Sequence, residues 1–248
     1  MDASVQEPRR HDQRTRGIEK NAEPLENNRD VTELAKEALK RLKDTFKELP
    51  ENEFIAFYVW KRTKSPLATL IATIISQNTT EKASFKAWNN LMSLTHGDWK
   101  RICDLDINEL MSALRVTGLY KQKAETIKSV CEKSEELEKA ILKGDRNKLL
   151  EISGIGPKTA DVVLALFNHK RFPVDTHVFR VSKRLGLAKG SYEAVSSELL
   201  KLFPENPLQA HMYLILLGRK FCKKQRPLCE KCPLRDLCPS ARIENNSG

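Results

Sequence analysis

Strand-like segments are missing from this chain of 248 residues. Nowhere do β-branched and polar residues alternate between turn signals over the roughly 4–8 residues that a half-buried strand needs. Long hydrophobic runs are missing as well. No apolar stretch approaches the ~18–20 residues required to cross a bilayer, and the longest ones are interrupted by Thr, Asn or Gly. The N-terminus lacks the apolar core of a secretory leader. A soluble, intracellular protein is therefore expected, in the cytoplasm or nucleoid of a prokaryote, or in the nucleus or mitochondrion of a eukaryote. Cysteine is scarce, six residues in all, and four of these fall within the last 27 residues. A disulfide framework is not expected in a chain of this size without an export signal. A local cluster of four suggests a bound metal instead.

What the chain does contain is charge and helical periodicity. Hydrophobic residues make up 40%, enough for one large core or two small ones. Lys and Arg number 43 against 33 Asp and Glu, a formal net charge of +10. Residues 1–34 hold six basic and eight acidic side chains, so the rest of the chain carries +12. This polar, mixed-charge stretch reads as a disordered tail. A basic body behind it points to a polyanionic partner such as nucleic acid. From about Val31 onward the pattern is helical. Ser65-Pro66 forms a helix start, and Leu67, Leu70, Ile71, Ile74 and Ile75 follow at the spacing of one helix face. Residues 107–115 and 122–142 read as amphipathic helices, as do the stretches around Ala160–Phe167, Val178–Leu185 and Leu199–Phe203. The expected fold class is all-α, with short connections and no internal repeat.

The most informative segment runs from Leu149 to Ala160. A helix ends near Ile152, Gly154 and Gly156 make a tight turn, and a new helix begins at about Pro157. Ile155, between the glycines, is suited to plug the core of the hairpin. Backbone N–H groups at such a helix start point outward and can hold a phosphate. This is the layout of a helix-hairpin-helix, a grip on the DNA backbone that ignores base sequence. An ordinary turn between helices would use the same glycines. Lys158 adds chemistry. It sits in the first turn of the new helix, at the positive end of the dipole, which disfavours an ammonium ion and favours the free amine. A free lysine amine is what Schiff-base chemistry requires. Seventeen residues later, Asp175 follows Pro173-Val174 and precedes the next helix, where it could equally serve as a helix cap.

The run Gly154-Ile155-Gly156-Pro157-Lys158-Thr159-Ala160-Asp161-Val162-Val163-Leu164, followed by Val174-Asp175-Thr176-His177-Val178-Phe179-Arg180-Val181, resembles the endonuclease III family of helix-hairpin-helix DNA glycosylases. So do Thr117–Ala124 upstream and His211–Arg219 downstream, and the resemblance covers roughly residues 35–242. It implies a two-lobed all-α fold with a DNA groove between the lobes. One lobe would be a six-helix domain over 61–171, and the other would join 35–60 to 172–248. Lys158 would be the nucleophile and Asp175 its carboxylate partner. Leu119, at a turn between helices, would be the residue that fills the space left by an everted nucleotide. Gln77, Asn78, the hairpin residues Gly154, Ile155 and Gly156, and His177 would contact DNA. The chain departs from many bacterial members at Asn78 and Glu81, where those carry Gln and Asp, which bears on base specificity.

The cysteines are spaced Cys222-x6-Cys229-x2-Cys232-x5-Cys238. Spacing alone leaves zinc and iron–sulfur open. The resemblance implies a 4Fe–4S cluster, and it places Lys223, Lys224 and Arg226, on the loop between the first two ligands, against DNA phosphates. The implied activity is a base-excision-repair glycosylase and abasic-site lyase for oxidised pyrimidines, acting as a monomer on double-stranded DNA with a damaged base or abasic site. A uracil or mismatch glycosylase on the same fold and a non-catalytic DNA-binding protein with structural zinc are the alternatives.

Overall fold

Local side-chain caps set where many of the helices begin. In the computed structural model, which describes residues 28–244, α1 spans Asn28–Phe46, α2 Ile55–Thr63, α3 Pro66–Ile75 and α4 Glu81–Leu94. Ser65 accepts from the Ala68 amide to start α3, and Thr80 accepts from Ala83 to start α4. After a 3-10 turn over Trp99–Asp104 come α5 (Ile107–Leu114), α6 (Tyr120–Glu132), α7 (Ser134–Lys143) and α8 (Arg146–Leu150). Asp106 and Glu109 form a reciprocal capping box at α5. The order then continues with α9 (Pro157–Leu166), α10 (Thr176–Leu185), α11 (Tyr192–Leu202), α12 (Pro207–Lys220) and α13 (Pro239–Glu244). No strand occurs among the described residues, so the all-α expectation holds.

The helices gather around two hydrophobic cores. The first draws on α2 to α9, with Leu70, Ile74, Leu91, Leu110, Ile127, Leu149 and Val163 all inaccessible. Residues 67–75 of α3 are buried on every side, as expected of the apolar helix that the others surround. The second core joins α1 to α10, α11 and α12, through Ala35, Leu42, Phe172, Val178, Leu199 and Leu216. Each fully buried Leu or Ile contributes roughly 1.5–3 kcal/mol. A smaller apolar seam of Ala56, Val162 and Leu166, with Phe57 and Leu208 against it, is formed by α2, α9 and α12.

A buried polar joint links three helices. Asp161, on α9, is 2% exposed and receives both Arg146 Nε (2.8 Å) and Nη2 (3.1 Å) from α8. Tyr192 Oη, from α11, donates to the same carboxylate at 2.8 Å. Each partner satisfies a lone pair that burial would otherwise leave unpaired.

Several expectations are corrected. The tail does not reach residue 34, because α1 begins at Asn28. Its stripe of Val31, Leu34, Ala35, Ala38 and Leu42 packs on the second core. Residues 1–27 lie outside the described residues. The helix expected over 122–142 is two helices, broken at Lys133, whose φ of −112° is not helical. Within residues 54–59, Ile55 and Val59 pack into the first core while Phe54 and Phe57 pack on the second, so α2 bridges the two. Cys103 and Cys131 are disulfide-bonded, with Cα atoms 5.4 Å apart. The fold brings the 3-10 turn and α6 together across 28 residues, a proximity that linear spacing does not reveal.

Candidate active site

The hairpin is clamped from behind. Gly154 takes a φ of +91°, and a Cβ there would collide with Thr126 Oγ1. That same Thr126 hydroxyl donates to Ser153 O at 3.2 Å. Gln77 Nε2 donates to both Gly154 O and Thr159 Oγ1 at 2.9 Å. Ile155 is 5% exposed and anchors the turn in the first core, so only its backbone can face a ligand. Gly156 is open, with nothing near where a Cβ would stand. No side chain caps α9. Its first amides therefore point outward without intrahelical partners.

Lys158 is the second residue of α9 and is partly buried. Burial pushes its amine below the ordinary lysine range. The carboxylates of Asp175 and Glu81 oppose that shift, and Arg219 adds to it. Asp175 is the N-cap of α10, accepting from the Val178 amide at 2.8 Å. The cap thus leaves the carboxylate close enough to Lys158 to favour its charged form.

Both residues line a cleft of about 590 Å³ with walls from both cores. Gln77, Asn78, Leu119, Gly154, Gly156 and His177 line it too. Leu119 is 55% exposed and holds a φ of +58°, a left-handed conformation that is strained for a leucine. The adjacent Gly118 is pressed against the pocket loop, since a Cβ there would stand 3.2 Å from Asn78 O. His177 is fixed by Arg180 Nη2, 2.9 Å from its Nδ1. Burial lowers the affinity of that imidazole for a proton. Gly218 makes room for the ring, because a Cβ would lie 2.8 Å from His177 Cβ.

Lys223, Lys224 and Arg226 do not line the cleft. They are exposed on the loop after α12, and Arg184 holds that loop by donating to Lys223 O (2.7 Å) and Lys224 O (3.1 Å). Arg180 Nε reaches Cys222 O at 2.7 Å. One helix, α10, thus carries Asp175 at its start and two arginines that brace the cysteine loop further along.

The four cysteines line one small, mainly apolar cavity of about 40 Å³, beside Leu217 and Phe221. None is in a disulfide. Burial raises the Cys232 and Cys238 thiols, and the neighbouring Cys222 raises them further. Four clustered thiols of this kind become thiolates together only around a cation. Among the described residues, no group of three or more His, Cys, Asp or Glu side chains is already gathered around a metal-sized site. Four cysteines lining one cavity are the donor types that soft metal centres use, zinc and iron–sulfur alike.

Sequence reasoning missed several residues around the cleft. Arg219, which closes the His211–Arg219 stretch, donates to Glu53 O (2.7 Å), Glu53 Oε2 (3.2 Å) and Glu81 Oε1 (3.0 Å). Glu81 also accepts from the Ile55 amide at 3.1 Å. Lys123 is 2% exposed and donates to Ile75 O at 2.9 Å, closing the C-terminal end of α3 just before the pocket loop. His211 was seen only as part of a longer motif.

An all-helical fold whose two cores flank such a cleft, with an amide-rich hairpin and a low-affinity lysine at its wall, is that of a base-excision DNA repair protein. The model of the HhH-GPD superfamily of base excision DNA repair proteins matches residues 71–205. Endonuclease III of Sulfolobus acidocaldarius is 40% identical over 215 residues, covering 83% of this chain and 96% of that one. A solved non-covalent endonuclease III–DNA complex superposes with a TM-score of 0.72 at 29% identity, covering 87% of this chain and 99% of that one. A trapped covalent endonuclease III–DNA intermediate gives 0.71 at 28%, covering 86% and 98%. The chain belongs to the HhH-GPD superfamily, and within it to the endonuclease III family.

Proposed function

We propose that this protein is a bifunctional DNA glycosylase and abasic-site lyase that removes oxidised pyrimidines from double-stranded DNA. The observation that carries the reading is the placement of Lys158, its amine disfavoured as a cation by burial, in one cleft with the Asp175 carboxylate. A base inside a duplex is beyond the reach of either group, so the nucleotide must be everted, at a cost of a few kcal/mol. Leu119, exposed and held outward at the cleft edge, takes the vacated place. The Ile155 amide is spent on Ile152 O, so the amide of Gly156 and those opening α9 hold a neighbouring phosphate. His177, Gln77 and Asn78 complete the contacts to the nucleotide and its surroundings.

Lys158 Nζ forms a bond to C1′ of the sugar as the bond from C1′ to the base breaks, and the base leaves. Asp175 stabilises the positive charge that develops on the sugar. The nitrogen gives up two protons, one to the departing base and one to O4′ as the sugar ring opens, and the adduct becomes an imine. β-Elimination then removes a proton from C2′ as the C3′–O bond breaks, so the 3′ phosphate leaves and the strand is cut on the 3′ side. Cys222, Cys229, Cys232 and Cys238 are the ligands proposed for a 4Fe–4S cluster. When bound, the cluster would brace the loop that carries Lys223, Lys224 and Arg226, and no bond is made or broken on it. The protein would act as a monomer. No helix among the described residues is long and apolar enough to cross a membrane.

Borohydride reduces the imine to a stable protein–DNA adduct, and this provides the test. Wild-type protein should be trapped on DNA containing thymine glycol and on a plain abasic site. Trapping by Lys158→Gln would overturn the assignment. Equal or faster excision of uracil would favour the alternative specificity on the same fold. Strand cutting at abasic sites would exclude a purely DNA-binding role.

A further inference from the structure

Glu81 and Arg219 form an ion pair inside the cleft, and the reaction described above uses neither. Glu81 is the first residue of α4, directly after the pocket loop, and Arg219 stands near the end of α12. Both line the cleft with Lys158 and Asp175. Arg219 Nη2 donates to Glu81 Oε1 at 3.0 Å, and its Nη1 donates to Glu53 O at 2.7 Å and Glu53 Oε2 at 3.2 Å. The other Glu81 oxygen, Oε2, accepts the Ile55 amide at 3.1 Å. That amide opens α2, whose N-cap Phe54 supplies no side-chain hydrogen bond. A helix start of this kind favours a negative charge beside it. One Glu81 oxygen is therefore held by a helix terminus and the other by a cation whose planar fork suits two acids.

We propose that Arg219 and Glu81 are positioning residues for the nucleophile: Arg219 holds the Glu81 carboxylate against α2 and offsets its charge, leaving Asp175 as the carboxylate that partners Lys158. The inference rests on the reading of Lys158 as the nucleophile. That role needs the free amine, and a carboxylate nearby favours the ammonium ion instead. Glu81 acts on Lys158 in that sense and Arg219 acts against it. The remaining titratable groups of the cleft are Asp175, His177 and His211. Burial disfavours a proton on both imidazoles and pushes His211 down to about 4, so neither adds charge at neutral pH. Of the helices packed on α9, α3 carries no charged residue, and α2, α7 and α8 place none in the cleft. The balance between Glu81 and Arg219 therefore adjusts the charge felt by the amine beyond what Asp175 contributes.

Two substitutions break the same hydrogen bond but change the charge of the cleft in opposite senses. Arg219→Met removes a cation and Glu81→Gln removes an anion. The rate of borohydride trapping would be measured on saturating abasic DNA from about pH 6 to pH 10, across the fall from the ordinary lysine range. DNA affinity and thermal unfolding of each full-length variant would be measured alongside. Arg219→Met should trap about threefold or more slower than wild type near neutral pH and recover as pH rises. Glu81→Gln should reach its plateau at lower pH than wild type. The double substitution should return to within about twofold of wild type at each pH, because the two charge changes cancel. Arg219→Lys keeps the charge without the fork and should leave the profile in place. Single substitutions that move the profile in the same direction, or lower it uniformly at every pH, would reduce the pair to a structural tie and overturn the proposal. If Arg219→Met does not fold, a Glu81→Gln profile that stays with wild type or moves to higher pH would overturn it instead. Lys158→Gln, run in parallel, tests the parent reading separately. Unmoved profiles beside an untrappable Lys158→Gln remove this inference alone.

Discussion

The Asp175 carboxylate accepts the Val178 amide at 2.8 Å while facing Lys158 across the cleft. One side chain therefore starts a helix and, in the proposed reaction, partners the nucleophile. Asparagine caps a helix about as well as aspartate. Asp175→Asn should thus keep its thermal midpoint within a few degrees and still bind damaged DNA, while excision falls at least about a hundredfold. Asp175→Ala should lose a further ~1 kcal/mol of stability through the missing cap. Excision by Asp175→Asn at wild-type rate would reduce the residue to a cap.

Burial displaces the Lys158 amine below the ordinary lysine range. The free amine is then populated at lower pH than in an exposed lysine. The rate of borohydride trapping on abasic DNA should rise with pH and level off well before the usual lysine range is reached. A rate still climbing through that range would contradict a desolvated nucleophile.

Lys123 closes α3 from inside the first core, and burial pushes its amine down to about 8. In the unfolded chain it titrates near 10.5. The unfolded state therefore binds more protons between about pH 8 and 10.5, and this residue's contribution to stability improves as pH rises through that window. Below about pH 8 the amine is charged in both states and the cost of burying it is constant. Denaturant unfolding of Lys123→Met, compared with wild type from pH 7 to 10.5, should lose that improvement. Parallel curves would show the amine to be better solvated than its burial implies.

Arg146, Asp161 and Tyr192 tie α8 and α9 to α11. Asp161→Ala removes the acceptor and leaves a mostly buried guanidinium with Glu193 as its remaining partner, at 2.8 Å. It should destabilise by about 3 kcal/mol. Tyr192→Phe removes one hydrogen bond to a charged group and should cost about 1.5–2 kcal/mol. Comparable small losses in both would place Asp161 in better contact with water than its 2% exposure suggests.

Lys223, Lys224 and Arg226 are exposed on the cysteine loop. Each that neutralises a DNA phosphate contributes about one unit to the slope of log affinity against log salt. Replacing all three by alanine should flatten that slope by about three units, equally for damaged and undamaged DNA. Chelating the iron of the proposed cluster should produce a similar flattening as the loop loosens. An unchanged slope would move the phosphate contacts elsewhere on the surface.

Much of the site was legible because it is locally encoded. Ser65, Asp175 and Pro157 begin their helices where expected, since caps act within three residues. Gly154-Ile155-Gly156-Pro157-Lys158 carries its own turn, plug and helix start. Other features were not legible because their partners are far apart in the chain. Nothing near Arg219 in the chain marks its role, because its partners Glu53 and Glu81 lie 166 and 138 residues away. The α1 stripe was hidden by dense charge on the opposite face, and Gly218 explains itself only once His177 is beside it.

The amino-acid order alone determined the helices, the hairpin and the clustering of thiols, since hydrogen bonds and apolar spacing within a few turns are sufficient for these. Tertiary structure decided which charges are spent internally and how deeply Lys158 and Lys123 are buried. Desolvation and electrostatic reach depend on what packs around a group, and that is settled only when the two cores close on the cleft.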